Sequence, residues 1–341
     1  MAYQLSHEMF DRYLAALSAT HRVFAPVVKA NKNKLADLDL ITYDEVSGAD
    51  QIIWSEKSYF SPKEIFYPIR ETLFRFVGKE AFVPEVDQKP MLILLRPCDL
   101  NGIDRLDQIF FNNGVSKDFY YERRRKLVKF AVIECTEGFD SCFCVSMGTN
   151  KVDSYDMALK YSGDSITLDI KDETLVPDGY SFGANEDFEL DFVKSNKTKV
   201  ELPDFEGVDL NQVFGHEMWK EYTSRCIACG RCNTSCITCS CFTMQDVFTD
   251  DEKMLSERRR RWAGCHIKGF SDMAGGHSFR DKNGERMRFK LMHKVYDFNK
   301  RFDKHMCVGC GRCDDVCPEY ISFSKSINKV AKIIQEVKHE K

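Results

Sequence analysis

The chain lacks a long apolar stretch. None of its hydrophobic runs approaches the roughly 18 residues that a membrane-spanning helix requires. Its first residues also lack the basic segment followed by an apolar core that is typical of a signal peptide. We therefore expect a cytoplasmic protein with no membrane span.

The chain also lacks a marked excess of charge and the common catalytic motifs. Its 49 basic and 53 acidic residues give a net charge of −4, which does not favour nucleic acid as a partner. No phosphate-binding loop, Ser–His–Asp arrangement or catalytic Cys–His signature is recognisable, and Gly275 and Gly276 lack the context of a dinucleotide fingerprint. The sequence therefore predicts a chain without catalytic residues of its own.

Cysteine, in contrast, is abundant. The chain has 15 cysteines, which are too sparse for a disulfide scaffold, since such scaffolds contain roughly 8–10% cysteine in a short secreted chain. In a reducing compartment, cysteines in this number indicate metal or redox chemistry.

Two stretches space their cysteines as C-x2-C-x2-C-x3-C. We call residues 226–236 the first run and residues 307–317, which Pro318 follows, the second run. This is the spacing with which bacterial ferredoxins hold [4Fe–4S] clusters. Gly309 and Gly311 let the backbone approach a cluster closely and direct N–H groups at its sulfides. Structural zinc is the alternative, but zinc usually takes separated C-x2-C pairs.

The fourth cysteine of each run should serve the other run's cluster, as it does in two-cluster ferredoxins. The predicted ligands of one cluster, set A, are Cys226, Cys229, Cys232 and Cys317. Those of the other, set B, are Cys307, Cys310, Cys313 and Cys236. Cys239 is an alternative fourth ligand, but the spacing favours Cys236. Cys241 and Cys265 are expected to be structural, or to tune a cluster through packing or weak S–H contacts.

The apolar pattern predicts two domains, an α/β domain over residues 1–215 and a mainly helical, ferredoxin-like two-cluster domain over residues 216–341. Residues 91–95 and 127–134 read as buried strands with a helix between them, from Gly102 to Phe111. Further strands are expected at 157–161 and 165–170. The basic stretch 258–261 is expected to be a solvated face.

Four other segments are expected to contain helices. Their predicted limits are Leu5 to about Ala19, Pro62 towards Phe76 with a kink or break at Pro68, Asp187 to Lys194, and Ser324 to about Glu340. The apolar face of the last helix should dock on the cluster domain.

A third group of cysteines, set C, lies in the first domain and consists of Cys98, Cys135, Cys142 and Cys144. Cys98 and Cys135 each follow a predicted buried strand. If those strands are parallel, both thiols lie at the edge of the sheet where α/β folds bind ligands, and the short return to Cys142 and Cys144 can reach the same edge. Set C therefore predicts a third [4Fe–4S] cluster, with zinc or incidental buried thiols as the alternatives.

The sequence resembles the iron–sulfur electron-transfer subunits of the anaerobic sulfite reductases and, in the same cysteine framework, the β subunits of cytoplasmic sulfhydrogenases. The resemblance extends over nearly the whole chain and is carried by residues 54–58, 71–74, 98–99, 134–135, 142–151, 269–277 and 305–315. One departure is Ile237, which stands where the family often has proline after the last cysteine of the first run.

This resemblance implies a non-catalytic electron-transfer subunit of an NADH-dependent oxidoreductase. Its partners would be a flavin subunit that takes hydride from NADH and a sirohaem subunit that reduces sulfite to sulfide, with single electrons passing between them through [4Fe–4S] clusters. One alternative is the electron-transfer β subunit of a cytoplasmic hydrogenase or sulfhydrogenase. An alternative of another class is a zinc-stabilised scaffold protein.

Overall fold

The computed structural model describes residues 2–32, 39–183, 185–250 and 254–339. Its strands are β1 (Ala2–Ser6), β2 (Arg22–Lys29), β3 (Leu40–Glu45), β4 (Arg70–Val77), β5 (Glu80–Phe82), β6 (Met91–Leu95), β7 (Val128–Ile133), β8 (Met157–Tyr161), β9 (Ser165–Ile170), β10 (Asn185–Glu186), β11 (Phe242–Asp250) and β12 (Leu255–Trp262).

Its α-helices are α1 (His7–Leu17), α2 (Pro97–Asn112), α3 (Phe119–Arg125), α4 (Leu210–Gly215), α5 (Met218–Arg225), α6 (Arg231–Thr234), α7 (Asn283–Met292), α8 (Phe298–Phe302), α9 (Arg312–Asp315) and α10 (Phe323–His339). A π-helical turn, His293–Asp297, joins α7 to α8, and short 3-10 turns lie at Ala49–Gln51, Pro62–Ile65 and Glu173–Leu175. No helix within the described ranges is long and apolar enough to cross a membrane.

Eight strands form one mixed sheet in the order β10-β1-β9-β8-β7-β6-β2-β3. Its centre, from β2 through β6 and β7 to β8, is parallel. All residues of β6 are buried because both faces of the sheet are covered. Leu92 and Leu94 belong to the core on the side of α1, whereas Ile93 and Leu95 belong to the core on the side of α2. The expected α/β character of the first part of the chain is therefore confirmed.

A second, antiparallel sheet has the order β11-β12-β4-β5. Its strands β4 and β5 precede residue 215, whereas β11 and β12 follow it. A buried ion pair between Arg260 Nη2 and Glu71 Oε2, at 2.9 Å, joins the two parts. The basic stretch 258–261 is therefore part of a strand with a buried arginine. The division into domains at residue 215 stays a prediction, and this sheet extends across it.

Three helix predictions are wrong: two of the segments begin or end differently, and the third contains no helix. Leu5 lies in β1, fully buried opposite Ile166, and α1 begins after Ser6, whose hydroxyl accepts from Met9 N at 3.2 Å. The helix predicted from Pro62 stops as a 3-10 turn at Ile65, and β4 follows. Residues 187–194 contain no helix, because Val193 N donates to Cys135 O at 2.7 Å and holds this segment extended beside the end of β7.

The C-terminal helix was predicted correctly. α10 runs from Phe323 to His339, and its buried residues pack with Trp219 of α5 and Leu291 of α7 in a third apolar core. Ile327, Val330 and Ile334 of α10 contribute to this core at helical spacing. The helix therefore docks on the cysteine-rich part of the chain, as expected.

Candidate iron–sulfur sites

The two cysteine runs share one backbone conformation. Ala228 and Gly230 have φ angles of 55° and 74°, and Gly309 and Gly311 have 63° and 72°. Each run then enters a short helix, α6 or α9, which carries its third cysteine. The left-handed residues turn each run around a cavity that its first three cysteines line.

The four cysteines of set A line one cavity, which Cys313 of set B also lines. Its remaining walls are largely apolar and include Met287, Ile321 and Phe323. The thiol of Cys226 is close enough to interact with those of Cys232, Cys229 and Cys317. Cys317 of the second run therefore lies with the three leading cysteines of the first run.

The four cysteines of set B line a neighbouring cavity, together with Phe143, Val308 and Phe323. Burial raises the pKa of the Cys307 thiol to about 12, and the thiols of Cys310 and Cys236 act in the same direction. Cys236 of the first run thus lies with the three leading cysteines of the second run, the reverse of the placement of Cys317.

Two buried lysines lie where they can balance the negative charge of these cysteines in their thiolate form. Lys290 lines both cavities, and its Nζ donates to Cys232 O at 2.9 Å. Burial alone would lower its pKa, but the thiolates of Cys232 and Cys313 outweigh burial and hold the pKa well above its ordinary value. Lys294 lines the set B cavity, and its Nζ donates to Thr238 Oγ1 at 2.6 Å. Buried charges require such paired charges, so both sites are built to hold an anionic group.

An unpaired histidine supports the fit of a cluster in set A. His266 is 2% exposed and lines this cavity, and neither ring nitrogen has a hydrogen-bond partner among the described residues. Burial lowers its pKa to about 3, so the ring is neutral at physiological pH and carries one N–H donor. Four thiols, apolar walls, a buried ammonium group and an available donor are the environment that a [4Fe–4S] cluster requires.

The four cysteines of set C also come together. Cys98 lies in the first turn of α2, because this helix begins at Pro97 and not at Gly102 as predicted, and Cys135 follows β7. Since β6 and β7 are parallel, both residues lie at the same edge of the sheet. Burial raises the pKa of Cys144 to about 12, and its thiol interacts with those of Cys142 and Cys135. The thiol of Cys98 in turn interacts with that of Cys144.

Set C packs directly against set B. Phe143 N donates to Gly309 O at 2.8 Å, and a Cβ atom at Gly309 would lie 2.6 Å from Cys144 N. Lys57 bridges the two loops, since its Nζ donates to Ser141 Oγ at 2.6 Å and to Cys310 O at 2.9 Å. Sets A, B and C therefore form one continuous series of cysteine groups, with set B in the middle.

The isoleucine that departs from the resembled family has a packing role. Ile237 is fully buried, and a Cβ atom at Gly102 of α2 would lie 2.4 Å from Ile237 Cγ2. This contact fixes the backbone directly after Cys236 against the α/β sheet.

Three further cysteines lie outside sets A, B and C, and one of them, Cys239, was the alternative fourth ligand of the first run. Cys239 and Cys241 precede β11 and Cys265 follows β12, so the β11–β12 hairpin brings them together. The signal that would have revealed this group is the hairpin itself, which the apolar pattern did not predict. Between residues 2 and 339, leaving out 33–38, 184 and 251–253, no group of three or more His, Cys, Asp or Glu side chains is arranged to hold a single metal ion.

Comparison with known proteins agrees with the cysteine arrangement. Residues 225–321 match the family described as "4Fe-4S dicluster domain". The chain is 29% identical to sulfhydrogenase 2 subunit beta of Pyrococcus furiosus over 345 residues, which cover 96% of this chain and 97% of that protein. No solved structure matches the chain. The chain is therefore similar to a 4Fe–4S dicluster family over residues 225–321 and to a sulfhydrogenase β subunit over nearly its full length.

Proposed function

We propose that the chain is the iron–sulfur electron-transfer subunit of a hydrogenase-type oxidoreductase. The observation that carries this proposal is the pair of neighbouring cysteine-lined cavities, which share Cys313, Lys290 and Phe323. The similarity to a sulfhydrogenase β subunit supports the hydrogenase alternative better than the sulfite reductase that the sequence led us to expect.

The proposed ligands of the two clusters are sets A and B. Support comes from the placement of Cys317 beside the first run and of Cys236 beside the second, which is the exchange known from two-cluster ferredoxins. A bound [4Fe–4S] cluster supplies one-electron oxidation and reduction. The chain's own contribution is to fix the thiolates, to exclude water with residues such as Phe323, and to balance negative charge with Lys290 and Lys294.

We extend the proposal to a third [4Fe–4S] cluster in set C. The support is the gathering of four thiols at the edge of the parallel strands and the contact of the loop around Phe143 with the second run. Electrons would then pass along the series from set C through set B to set A, or in the opposite direction.

A partner protein should dock beside set A. Cys229 is exposed, and the neighbouring side chains of Ile227 and Tyr320 are 60% and 87% exposed. Apolar side chains that are exposed to solvent beside a redox site are typical of a protein–protein interface. In this proposal the predicted flavin subunit remains one partner, and the other is a hydrogenase subunit in place of the sirohaem subunit.

The test of the proposed complex is purification of the natural assembly without oxygen, followed by assays of iron, acid-labile sulfide, nickel and sirohaem. We expect iron and sulfide in this chain and nickel in a co-purifying subunit. Sirohaem in place of nickel would favour sulfite reduction. A colourless chain that holds zinc would contradict electron transfer altogether.

The third cluster is tested by a double variant, Cys98→Ser with Cys142→Ser. Iron in the isolated chain should fall by about four atoms, since each cubane holds four irons. The spectroscopic signals of sets A and B should remain, because their ligands are untouched. An unchanged iron content under strict anoxia would remove set C from the proposal and leave the two-cluster core standing.

A further inference from the structure

The base of the β11–β12 hairpin gathers the three cysteines that lie outside sets A, B and C. We call Cys239, Cys241 and Cys265 set D. The two strands pair from Phe242 opposite Trp262, and Ala263 N donates to Cys241 O at 2.9 Å. The base of the hairpin therefore lies next to Cys241, and it holds the segments that carry Cys241 and Cys265 side by side.

The thiols of set D form a contiguous group. The thiol of Cys241 is close enough to interact with those of Cys265 and Cys239, and the thiol of Cys239 interacts with that of Cys236 of set B. Asn233 Nδ2 lies 3.2 Å from Cys265 Sγ and donates to it. N–H groups that donate to sulfur in this way are among the contacts that surround iron–sulfur clusters in proteins.

A cavity adjoins these thiols, and Cys239 and Cys241 line it together with Trp262, Ile267 and Cys229 of set A. The indole Nε1–H of Trp262 is buried and has no hydrogen-bond partner in the described part of the chain. A buried donor without a partner normally costs about 1–3 kcal/mol. The sulfide of a cluster in this cavity would supply the missing acceptor.

A buried cation stands beside set D. Lys63 is 1% exposed, and its Nζ donates to Cys236 O at 2.8 Å and to Cys239 O at 2.7 Å. The same Nζ lies 4.1 Å from the centroid of the Trp262 ring. Since a buried ammonium group requires a negative partner, the thiolates of an anionic cluster explain why lysine is placed here.

From these contacts we propose that set D binds a further iron–sulfur cluster through three thiolates. Like sets A and B, its thiols are not arranged around a single ion, so a cluster, whose irons each take one thiolate, suits them better than zinc. Three thiolates leave one corner of a cubane without a cysteine, so that corner is vacant or opens into the cavity. The site lies beside Cys236 of set B and Cys232 of set A.

The test is the double variant Cys241→Ser with Cys265→Ser in the full chain, prepared without oxygen. Ser240→Ala is the matched control, because it changes the same segment and keeps all three thiols. We expect the double variant to lose about three or four irons and a similar number of sulfides, and the control to lose none. The signals of sets A and B should persist in both. Unchanged iron, or loss of zinc in place of iron, would overturn the proposal.

A second measurement decides the matter if the double variant does not fold. The variant Cys98→Ser with Cys142→Ser lacks set C, so its remaining irons belong to sets A, B and D. We expect about eleven or twelve irons per chain, and about eight would contradict a cluster in set D. Absence of the set A and set B signals from the wild-type chain would instead contradict the proposed function, so the two failures are distinguishable.

Discussion

The two cysteine runs are nearly the same in sequence but differ in their surroundings. In the first run Ile227 is 60% exposed and Cys229 is open to solvent, whereas at the equivalent places in the second run Val308 is 2% and Cys310 8% exposed. The same cysteine spacing therefore gives the two runs the same backbone geometry but different exposure to solvent. In the proposed function, the exposed first run would exchange electrons with a partner, and the buried second run would relay them between sets A and C.

The arginines of the two runs show the same contrast. Arg312 is buried, and its Nη2 donates to Asp99 Oδ2 of α2 at 2.8 Å. Arg231 occupies the equivalent position, lies partly exposed at the rim of the set A cavity, and has no ion-pair partner among the residues that the structure describes. The arginine of the second run is thus tied to α2 by a buried ion pair, whereas the arginine of the first run makes no such contact within the described ranges.

The largest difference should appear when each arginine is replaced by alanine. Arg312→Ala leaves Asp99 buried and unpaired, which costs about 3–5 kcal/mol of stability. Arg231→Ala should change stability by about 0.5 kcal/mol or less, because surface substitutions rarely do more. Denaturant unfolding under anoxia, followed by circular dichroism, measures both. Equal destabilisation of the two variants would show that the runs are not held differently.

A smaller effect is expected from Gly309→Ala. The new Cβ would lie 2.6 Å from Cys144 N, and φ is 63°, so the loop of set C must move. The control is Gly163→Ala, at φ 82° with no atom within 4 Å of the added carbon, which should cost only the roughly 1–2 kcal/mol of a left-handed alanine. We expect Gly309→Ala to cost more than this control in the same unfolding measurement and to lower the iron content. If the two variants behave alike, the contact between sets B and C is not tight.

The smallest effect should come from Ala228→Gly, which gives the first run the glycine of the second. Ala228 has a φ of 55°, which costs an alanine roughly 1–2 kcal/mol. Glycine removes that strain but adds about 0.5–1 kcal/mol of unfolded-state entropy. The variant should therefore gain up to about 1.5 kcal/mol in an otherwise identical unfolding experiment. A clear loss of stability would mean that the alanine methyl group makes contacts that outweigh the strain.

Local spacing and apolar runs were sufficient to predict the two regular runs and the parallel core strands. Met91–Leu95 is apolar throughout because both of its faces are covered, and this pattern is visible in the sequence. Helix α10 could be predicted in the same way, because its buried residues recur at helical spacing.

The second sheet could not be predicted in this way. β11 is largely exposed and β12 is rich in arginine, so neither has an apolar face. In β4 the buried position Glu71 is charged, and ion pairs with Arg123 and Arg260 make its burial tolerable. Such ion pairs join residues far apart in the chain, so local sequence patterns do not reveal them. Set D was not predicted for the same reason, because it forms only when the β11–β12 hairpin brings its cysteines together.

The most direct test of the central claim is to ask which cluster each fourth cysteine serves. Electron paramagnetic resonance of the reduced chain, prepared without oxygen, should distinguish the clusters of sets A and B. We predict that Cys317→Ser alters the same signal as Cys229→Ser and leaves unchanged the signal that Cys310→Ser alters. If Cys317→Ser instead alters the signal of Cys310→Ser, each run closes on its own fourth cysteine, and the exchange between the two runs is contradicted.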